Sequence, residues 1–375
     1  MKPHLAAVEA AVGQPGSRAL IPTPALVLDL DAFERNVAKM QARANASGLA
    51  LRPHAKSHKC AALARRQIEA GAVGVCCAKL AEAEALAAAG IEAILVTSPI
   101  VGAGPAARAA ALATALPDFR IVVDHPDGAA ELAAEAEAPI QVLIDVDPAF
   151  GRSGVRDADQ AVAVFRAIAA QPKLRFLGVQ CYGGAWQHMD GANARAAAVA
   201  DGMAGLKAVM AALRQAGAQI AVATGGGTGT FAADAAQGVL NEVQPGSYAF
   251  MDHQYRDALK DDPDGAFDQA LMVAATVISA NHPQWVTVDA GLKAFATEAG
   301  PAAPLTPKFE RCKYRFFGDE HGMLTRPQAD VARGERVDFM PPHVDPTFDR
   351  YDQVFLVRGD TLVEIAPVEA RGASQ

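Results

Sequence analysis

The stretch VGVCCAKLAEAEALAAAGIEAILVTS, residues 73–98, contains a short β-rich run, an alanine- and leucine-rich run with helical spacing, and a second β-rich run. A helix between two strands of this length indicates a parallel βαβ unit. The same alternation extends from about residue 50 to residue 250. Its eight candidate strands are 51–56, 73–78, 93–98, 119–124, 141–147, 176–182, 220–226 and 242–250. Eight such units in series predict a closed (β/α)₈ TIM barrel and leave a doubly wound open sheet as the second topology.

Both ends of the chain depart from this alternation. Residues 23–31 read as a strand ahead of the barrel pattern, and after about residue 265 the helical runs give way to β-rich segments. We therefore predict a barrel domain over residues 23–260 and a C-terminal, mainly β domain over residues 265–375. The strand at about 23–31 is assigned to the β domain.

The composition argues against nucleic acid and membrane partners. The 375 residues include 34 Lys and Arg against 42 Asp and Glu, a net charge of -8, which disfavours binding to anionic surfaces. No apolar run reaches the roughly 20 residues that span a bilayer, and the first residues lack the features of a secretory signal. The five cysteines are an odd number without disulfide-framework spacing. We therefore expect reduced thiols and a cytoplasmic location.

Two segments fall where a barrel enzyme places its chemistry, at the C-terminal ends of the strands. Lys56, in LRPHAKSHK, follows the first strand. It is either a solvated surface charge or a buried amine whose lowered pKa allows imine formation. The seventh strand ends in ATGGGTGTF (223–231), which is either a flexible turn or a loop whose backbone N–H groups hold a phosphate. Together they suggest a phosphorylated aldehyde cofactor held as a Schiff base.

Eight motifs, taken in order, resemble a known family. They are TPALVLDLDAFERN, RPHAKSHK, DVDPAFGRSGV, TGGGTGTF, VQPGSYAFMD, VDAGLKA, DEHG and HVD. This order resembles the fold-type III pyridoxal-phosphate enzymes, in the alanine racemase-like branch that holds D-threonine aldolases, 3-hydroxy-D-aspartate aldolases and D-serine dehydratases. The resemblance extends from about Thr23 to the C-terminus. It implies pyridoxal 5′-phosphate as cofactor, a first strand that belongs to the β domain, and a homodimer.

The resemblance also implies roles for single residues. Lys56 would be the Schiff-base lysine, and Arg152 and Tyr182 would lie beside the cofactor ring. The residues that would bind the phosphate are Thr224, Gly226, Gly227, Thr228, Ser247 and Tyr248. His188, in WQHMD, and His321, in DEHG, are candidates for proton transfer at the substrate hydroxyl, and each competes with a plainer role as a core or supporting histidine.

The motif PPHVD carries a candidate metal pair, His343 and Asp345. On a strand, side chains two residues apart point to the same face and can converge on one ion. Two ligands are too few to identify a metal site, and a surface His-x-Asp pair is the commoner arrangement. The resemblance implies a metal at this position. Imidazole with a hard carboxylate and water suits Mn²⁺, Mg²⁺ or Co²⁺ better than zinc, and of these we expect Mn²⁺ or Mg²⁺.

The predicted activity is cleavage of a D-3-hydroxy amino acid at Cα–Cβ, giving glycine plus glyoxylate from 3-hydroxy-D-aspartate or acetaldehyde from D-threonine. The motifs favour hydroxyaspartate, whose carboxylate would need a cation from among His58, Lys59, Lys313 and Arg315. The alternative is dehydration of D-serine or 3-hydroxy-D-aspartate to a keto acid and ammonia, against which Asp345 in place of a thiolate is the sequence argument. A cofactor carrier or a racemase gives no reason for the pair His343 and Asp345.

Overall fold

The computed structural model describes residues 5–260, 267–327 and 330–375. The predicted domain boundary, between residues 260 and 265, falls largely outside these residues. The chain opens with helix α1 (Ala6–Ala10), strand β1 (Ala25–Asp29) and helix α2 (Leu30–Ala46). β1 leads directly into α2 because the Asp29 side chain caps the helix, accepting the Ala32 N–H at 3.0 Å.

Eight parallel strands form the first sheet of the described residues. In chain order they are β2 (Ala50–Leu51), β3 (Val75–Cys77), β4 (Ala93–Val96), β5 (Asp118–Val123), β6 (Ile140–Val146), β7 (Leu174–Cys181), β8 (Val222–Gly225) and β9 (Glu242–Val243). The helices that accompany them are α3 (Ala61–Glu69), α4 (Leu80–Ala88), α5 (Ala103–Ala115), α6 (Pro126–Glu135), α7 (Ala158–Ala169), α8 (Ala192–Gln215), α9 (Phe231–Gln237) and α10 (His253–Ala258). The order around the sheet is β2-β9-β8-β7-β6-β5-β4-β3.

The sheet closes between its two ends, β2 and β3. A parallel bridge pairs His54 with Cys76, and the Cys76 N–H donates to the Pro53 carbonyl at 2.8 Å. The (β/α)₈ prediction is confirmed and the open sheet is wrong. The predicted strands 51–56 and 242–250 are much shorter than expected, because each runs into a proline that has no N–H for a ladder. Each then ends in a 3₁₀ turn, at Ala55–Ser57 and Ser247–Ala249.

The second sheet of the described residues has nine strands. It contains β1 and eight later strands, β10 (Leu271–Ser279), β11 (Trp285–Val288), β12 (Ala303–Pro304), β13 (Tyr314–Phe316), β14 (Gly322–Thr325), β15 (Arg336–Met340), β16 (Gln353–Arg358) and β17 (Thr361–Pro367). β1 pairs antiparallel with β10 and parallel with β16. A short helix, α11 (Val344–Phe348), lies between β15 and β16. The strand β1, which precedes the barrel strands in the chain, is therefore part of the C-terminal sheet.

Packing follows the alternation of the strands. On β3, Cys76 points into a small cluster inside the barrel with Leu95, Val122 and Leu143, while Cys77 belongs to the main core between strands and helices. By length and composition α8 is the one described helix that could cross a membrane. Its buried residues recur every three or four positions and belong to the main core: Val199, Met203, Leu206, Met210 and Leu213.

Candidate active site

A pocket with about 580 Å³ of open space lies at the C-terminal ends of the barrel strands. Its lining residues are His54, Lys56, Ser57, Ala78, Thr97, Ser98, Arg152, Gln180, Tyr182, Gly227, Thr228, Gln244, Gly246, Ser247 and Tyr255. Six of the residues selected from the sequence line this pocket together: Lys56, Arg152, Tyr182, Gly227, Thr228 and Ser247.

Lys56 lies in the 3₁₀ turn that follows β2. The buried His54 side chain caps this turn, since its Nδ1 accepts the Lys56 N–H at 3.5 Å while its Nε2 lies 3.1 Å from Thr97 Oγ1. This arrangement uses a neutral imidazole, in agreement with the His54 pKa, which burial and the nearby Lys56 charge lower well below its ordinary value. His54 therefore fixes the direction in which Lys56 leaves the turn.

The Lys56 amine contacts the Asp345 carboxylate, so the barrel lysine meets the metal candidate of the β domain. Burial by itself lowers the Lys56 pKa. Attraction to Asp345, together with contributions from Tyr182 and Glu82, offsets burial, and the net pKa is raised above the ordinary value. The expectation of a lowered pKa is therefore wrong for this arrangement. The amine is held as an ammonium until Asp345 takes another partner.

The Gln187 side chain hydrogen-bonds to the glycine-rich loop after β8 and holds it in place. The Gly229 N–H donates to Gln187 Oε1 at 3.0 Å, and Gln187 Nε2 donates to Thr230 Oγ1 at 3.0 Å. A Cβ at Gly227 would lie 2.4 Å from Gln187 Oε1, and one at Gly229 would lie 2.1 Å from the Gln187 carbonyl oxygen. These glycines are required mainly by this close approach. The Gly227 N–H is also occupied, by Thr230 Oγ1 at 3.2 Å.

Three of the residues predicted to bind the phosphate lie outside the pocket lining. Thr224 is fully buried beneath the pocket and accepts from Gln244 Nε2 at 3.0 Å. Gly226 backs onto Asp234, where a Cβ would lie 2.3 Å from the carboxylate. The buried Tyr248 hydroxyl is 3.2 Å from Gln67 Nε2, away from the pocket lining, while its N–H donates to Thr228 Oγ1 at 3.1 Å. Thr228 thereby keeps its own hydroxyl proton for a ligand.

Gln187→Leu is expected to weaken pyridoxal phosphate binding by about 10- to 100-fold, because the buried Gly229 N–H would lose its acceptor. The cofactor-free protein should be titrated with pyridoxal phosphate and the dissociation constant read from visible absorbance. Gln215→Leu, at an exposed site on α8, is the matched control. Binding by Gln187→Leu within two-fold of the unaltered protein would show that the loop does not need these Gln187 hydrogen bonds.

Asp234 lies behind the same loop, almost fully buried on α9. Its Oδ2 accepts the Thr230 hydroxyl at 2.6 Å, and its Oδ1 has no hydrogen-bond partner. Burial raises the Asp234 pKa to about 7, against the opposing hydrogen bonds from Thr230 and Gly227. Between about pH 4 and pH 7, Asp234 is therefore protonated in the folded protein and ionised in the unfolded chain.

Because the folded pKa of Asp234 exceeds the unfolded one, its contribution to stability is complete below about pH 4 and is lost as the pH rises through about 7. We expect Asp234→Asn to reduce the fall in melting temperature of the cofactor-free protein between pH 5 and pH 8. Asp201→Asn, on the exposed face of α8, should leave that fall unchanged. An unaltered fall in Asp234→Asn would contradict the assignment.

Arg152 and Tyr182 both line the pocket and contact each other. Arg152 follows β6, and its guanidinium carbon lies 5.4 Å from the centre of the Tyr182 ring. Burial raises the pKa of Tyr182, opposed by the nearby Lys56 charge. The phenol therefore stays protonated at neutral pH and can donate a hydrogen bond.

His343 and Asp345 converge, although by a different route from the one predicted. His343 is the N-cap of α11 and Asp345 lies in its first turn, so the strand assumed for this pair is wrong. His343 Nε2 lies 3.9 Å from Asp345 Oδ1, a buried oxygen with no hydrogen-bond partner. His343 Nδ1 is 2.7 Å from Glu298 Oε1, a pairing that turns Nε2 toward Asp345.

The remaining histidine candidates separate clearly. His188 is partly exposed and partly covered by the pocket residue Tyr255, with the two ring centres 4.5 Å apart. Burial lowers its pKa, with the His343 charge as the next cause, so the imidazole is neutral at neutral pH and electrostatically close to the metal candidates. His321 lies exposed in the β13–β14 turn and is absent from the pocket lining. The proton-transfer role suggested for His321 has no support in this geometry.

Several residues of the site were not selected from the sequence. Gln180 donates to Asp145 Oδ1 at 2.9 Å, and Gln244 donates to Gln180 Oε1 at 3.2 Å, forming a polar floor under the pocket. Asp252, fully buried, accepts the N–H groups of both Tyr255 and Val344 and ties α10 to α11. The sequence signal that could have identified Gln180 and Gln244 is a polar residue next to apolar strand residues, in VQCY and NEVQ.

Comparisons with known proteins agree with this geometry. The family model for the alanine racemase N-terminal domain matches residues 28–254, and that for a putative serine dehydratase domain matches residues 270–357. A D-threonine aldolase of Arthrobacter sp is 39% identical over 96% of both chains. A 3-hydroxy-D-aspartate aldolase of Paracoccus denitrificans (strain Pd 1222) is 36% identical over 94% of this chain and 92% of its own.

Solved structures extend the comparison. The crystal structure of a D-threonine aldolase from Filomicrobium marinum superposes with a TM-score of 0.91 at 40% identity, covering 95% of this chain and 98% of that one. A D-threo-3-hydroxyaspartate dehydratase from Delftia sp. HT23 superposes with a TM-score of 0.83 at 30% identity, covering 93% and 98%.

Proposed function

The chain belongs to the alanine racemase-like family of pyridoxal-phosphate enzymes that carry a serine dehydratase-type second domain, and from this premise we propose that it is an aldolase cleaving D-3-hydroxy amino acids at Cα–Cβ. The observation that carries the proposal is the contact of Lys56 with Asp345 beside His343. It brings the predicted cofactor lysine and the predicted metal pair into one site. The products would be glycine and an aldehyde.

The residues present fit pyridoxal phosphate. Lys56 offers an amine to the aldehyde, while Thr228 and Ser247 offer hydroxyls to the phosphate beside the backbone of Gly227 and Gly246. A Cβ at Gly246 would lie 3.0 Å from the His54 carbonyl oxygen, so a larger residue would crowd the turn that holds Lys56. Bound there, the cofactor supplies an electron sink for the pair released from the Cα–Cβ bond. Arg152 and Tyr182 would orient the cofactor ring and the substrate carboxylate.

The residues present also fit a divalent cation. The unpartnered Asp345 Oδ1 and the inward-turned His343 Nε2 form a carboxylate and imidazole pair, and Glu298 holds the histidine ring in place. Among the described residues no cluster of three or more His, Cys, Asp and Glu could hold a metal, so water would complete the coordination. We propose Mn²⁺ or Mg²⁺, which accept oxygen ligands and keep several waters. The ion supplies Lewis acidity at the substrate 3-hydroxyl.

We propose that the neutral imidazole of His188 accepts the 3-hydroxyl proton. The pocket residue Tyr255 supports the His188 ring on one face. The lowered pKa of His188 keeps it unprotonated at neutral pH, as a general base requires. The metal pair at His343 and Asp345 is the neighbouring group whose charge acts on the His188 pKa.

The structure alters the expectation for the substrate side chain. His58 is fully buried and its pKa is lowered by burial to about 4, so it is neutral. Lys59 is paired with Asp349, while Lys313 and Arg315 are exposed and lie outside the pocket lining. Among the described pocket residues, Lys56 and Arg152 are the only lysine and arginine side chains, and both already have roles. We therefore propose a neutral side chain, as in D-threonine, in preference to the carboxylate of 3-hydroxy-D-aspartate.

A product assay tests the proposed function. Protein loaded with pyridoxal phosphate and Mn²⁺ would be given D-threonine and both diastereomers of 3-hydroxy-D-aspartate, with glycine and ammonia measured in parallel. We expect glycine and acetaldehyde without ammonia, and faster turnover of D-threonine. Ammonia with a keto acid would establish a dehydratase. In that case the argument from the hard ligand Asp345 would be wrong.

We also propose a homodimer in the cytoplasm. The free cysteines suit a reducing compartment. Light scattering on the purified protein would give about twice the mass of a single chain, which is 38.9 kDa. A monomeric mass would contradict the dimer.

A further inference from the structure

The second lysine of LRPHAKSHK has no role in the reaction proposed above. Lys59 is buried, and its backbone adopts a left-handed conformation with φ of 53°. An L-residue enters this region only when its surroundings hold it there. Here the Lys59 N–H donates to the Ala55 carbonyl at 2.7 Å, and the Lys59 carbonyl accepts the Ala370 N–H at 3.1 Å.

The Lys59 side chain reaches the helix that carries the metal candidate. Its Nζ donates to Asp349 Oδ1 at 2.9 Å and lies 3.6 Å from Glu82 Oε1. Asp349 is the C-cap of α11 and follows Asp345 by four residues, one helical turn. Two ion pairs therefore join the same two elements in parallel, Lys56 to Asp345 and Lys59 to Asp349.

Only one of these ion pairs is compatible with a loaded site. When Lys56 bonds to the cofactor, its contact with Asp345 is lost. The same contact is lost when Asp345 binds a metal ion. The Lys59–Asp349 pair has no such competing role. Asp349 is further fixed by the Gly372 N–H at 2.8 Å, and at the other end of α11 Asp252 holds the Val344 N–H at 2.8 Å.

We propose that the Lys59–Asp349 pair is a positioning device that holds the turn of Lys56 against the helix of Asp345 once the Lys56–Asp345 contact is broken. This inference rests on the proposed function, because it requires both groups to be engaged elsewhere. The neighbouring His58 supports the same contact, with its ring 6.5 Å from that of Phe348 on α11. The residues His58 and Lys59, which follow Lys56, thus hold α11, the helix that contains Asp345, against the turn of Lys56.

The test compares Lys59→Met, Lys59→Arg, Asp349→Asn and the double variant Lys59→Met with Asp349→Asn. Mn²⁺ affinity would be measured by paramagnetic resonance of the free ion, and pyridoxal phosphate affinity by absorbance. Lys59→Met and Asp349→Asn should each weaken Mn²⁺ binding by about 10-fold, as removal of a group behind a metal ligand does. With saturating metal and cofactor, kcat should still fall more than KM rises.

The double variant should be no weaker than Lys59→Met alone, because Lys59→Met already removes the interaction that Asp349→Asn removes. Lys59→Arg should recover Mn²⁺ affinity to within about three-fold, since it keeps the charge. Lys308→Met is the matched control, because it removes a lysine ion pair of 2.7 Å to Glu335 within the β domain. If Lys59→Met does not fold, the result for Asp349→Asn tests the inference. Asp349→Asn should fold, because its amide oxygen can still accept the Gly372 N–H.

Mn²⁺ affinity and kcat within two-fold of the unaltered protein in both single variants, or additive effects in the double variant, would overturn the inference. If either result is found while the unaltered protein binds metal and cofactor normally, the proposed function is unaffected. Failure of the unaltered protein to bind Mn²⁺, or to form a borohydride-trapped adduct at Lys56, would instead remove the proposed function and this inference with it.

Discussion

Lys56→Ala is expected to lower turnover by more than about 1,000-fold, since it removes the amine that would bond to the cofactor. Borohydride treatment of the unaltered protein loaded with pyridoxal phosphate should attach the cofactor to the peptide containing Lys56. The same treatment of Lys56→Ala should attach none there. Mass spectrometry of the digested protein reads this directly.

Lys56→Arg separates chemistry from structure. The guanidinium keeps a positive charge beside Asp345 and cannot form the bond to the cofactor aldehyde at neutral pH. We expect Lys56→Arg to fold and melt like the unaltered protein yet to be as inactive as Lys56→Ala. Lys313→Ala, at an exposed lysine outside the pocket, should keep full activity. Substantial turnover by Lys56→Arg would end the assignment of Lys56 as the cofactor lysine.

Asp345→Asn is expected to lower the aldolase rate by at least about 100-fold and to weaken Mn²⁺ binding, because an amide is a poorer ligand than a carboxylate for a hard cation. A chelator should inactivate the unaltered protein to a similar extent, and added Mn²⁺ should restore it. The same Mn²⁺ concentration should not restore Asp345→Asn. Full activity of the chelated protein would contradict a metal-dependent reaction.

The same substitution should leave the cofactor bond intact and shift its pH dependence. Asp345 holds the Lys56 pKa above its ordinary value, against burial, which lowers it. Removing the carboxylate therefore lowers the Lys56 pKa, and the neutral amine becomes available at lower pH. Pyridoxal phosphate should consequently attach to Asp345→Asn at a pH where it attaches slowly to the unaltered protein with its metal removed. An unchanged pH profile would mean that Asp345 does not control Lys56.

Much of the fold could be read from the chain because it depends on local periodicity. The repeated βα pattern predicts parallel units, and eight of them predict a barrel. The errors lie at the prolines, where strands near Pro53 and Pro245 end early in 3₁₀ turns. The sequence shows a glycine-rich loop after the strand, but it does not show that Gln187 packs against the glycines. Gln187 lies some 40 residues earlier in the chain, and its approach to Gly227 and Gly229 has no sequence signature.

The sequence by itself determined the alternation of strands and helices in the barrel and the position of Lys56 at a strand end. It also determined that His343 and Asp345 lie two residues apart in one motif. These features depend on residues close together in the chain. Only the tertiary structure decided that Lys56 meets Asp345, 289 positions away, and that Lys59 is paired with Asp349. Burial alone would have lowered the Lys56 pKa. A carboxylate delivered by the other domain reverses that direction, because Coulomb attraction across a short distance depends on how the two domains pack.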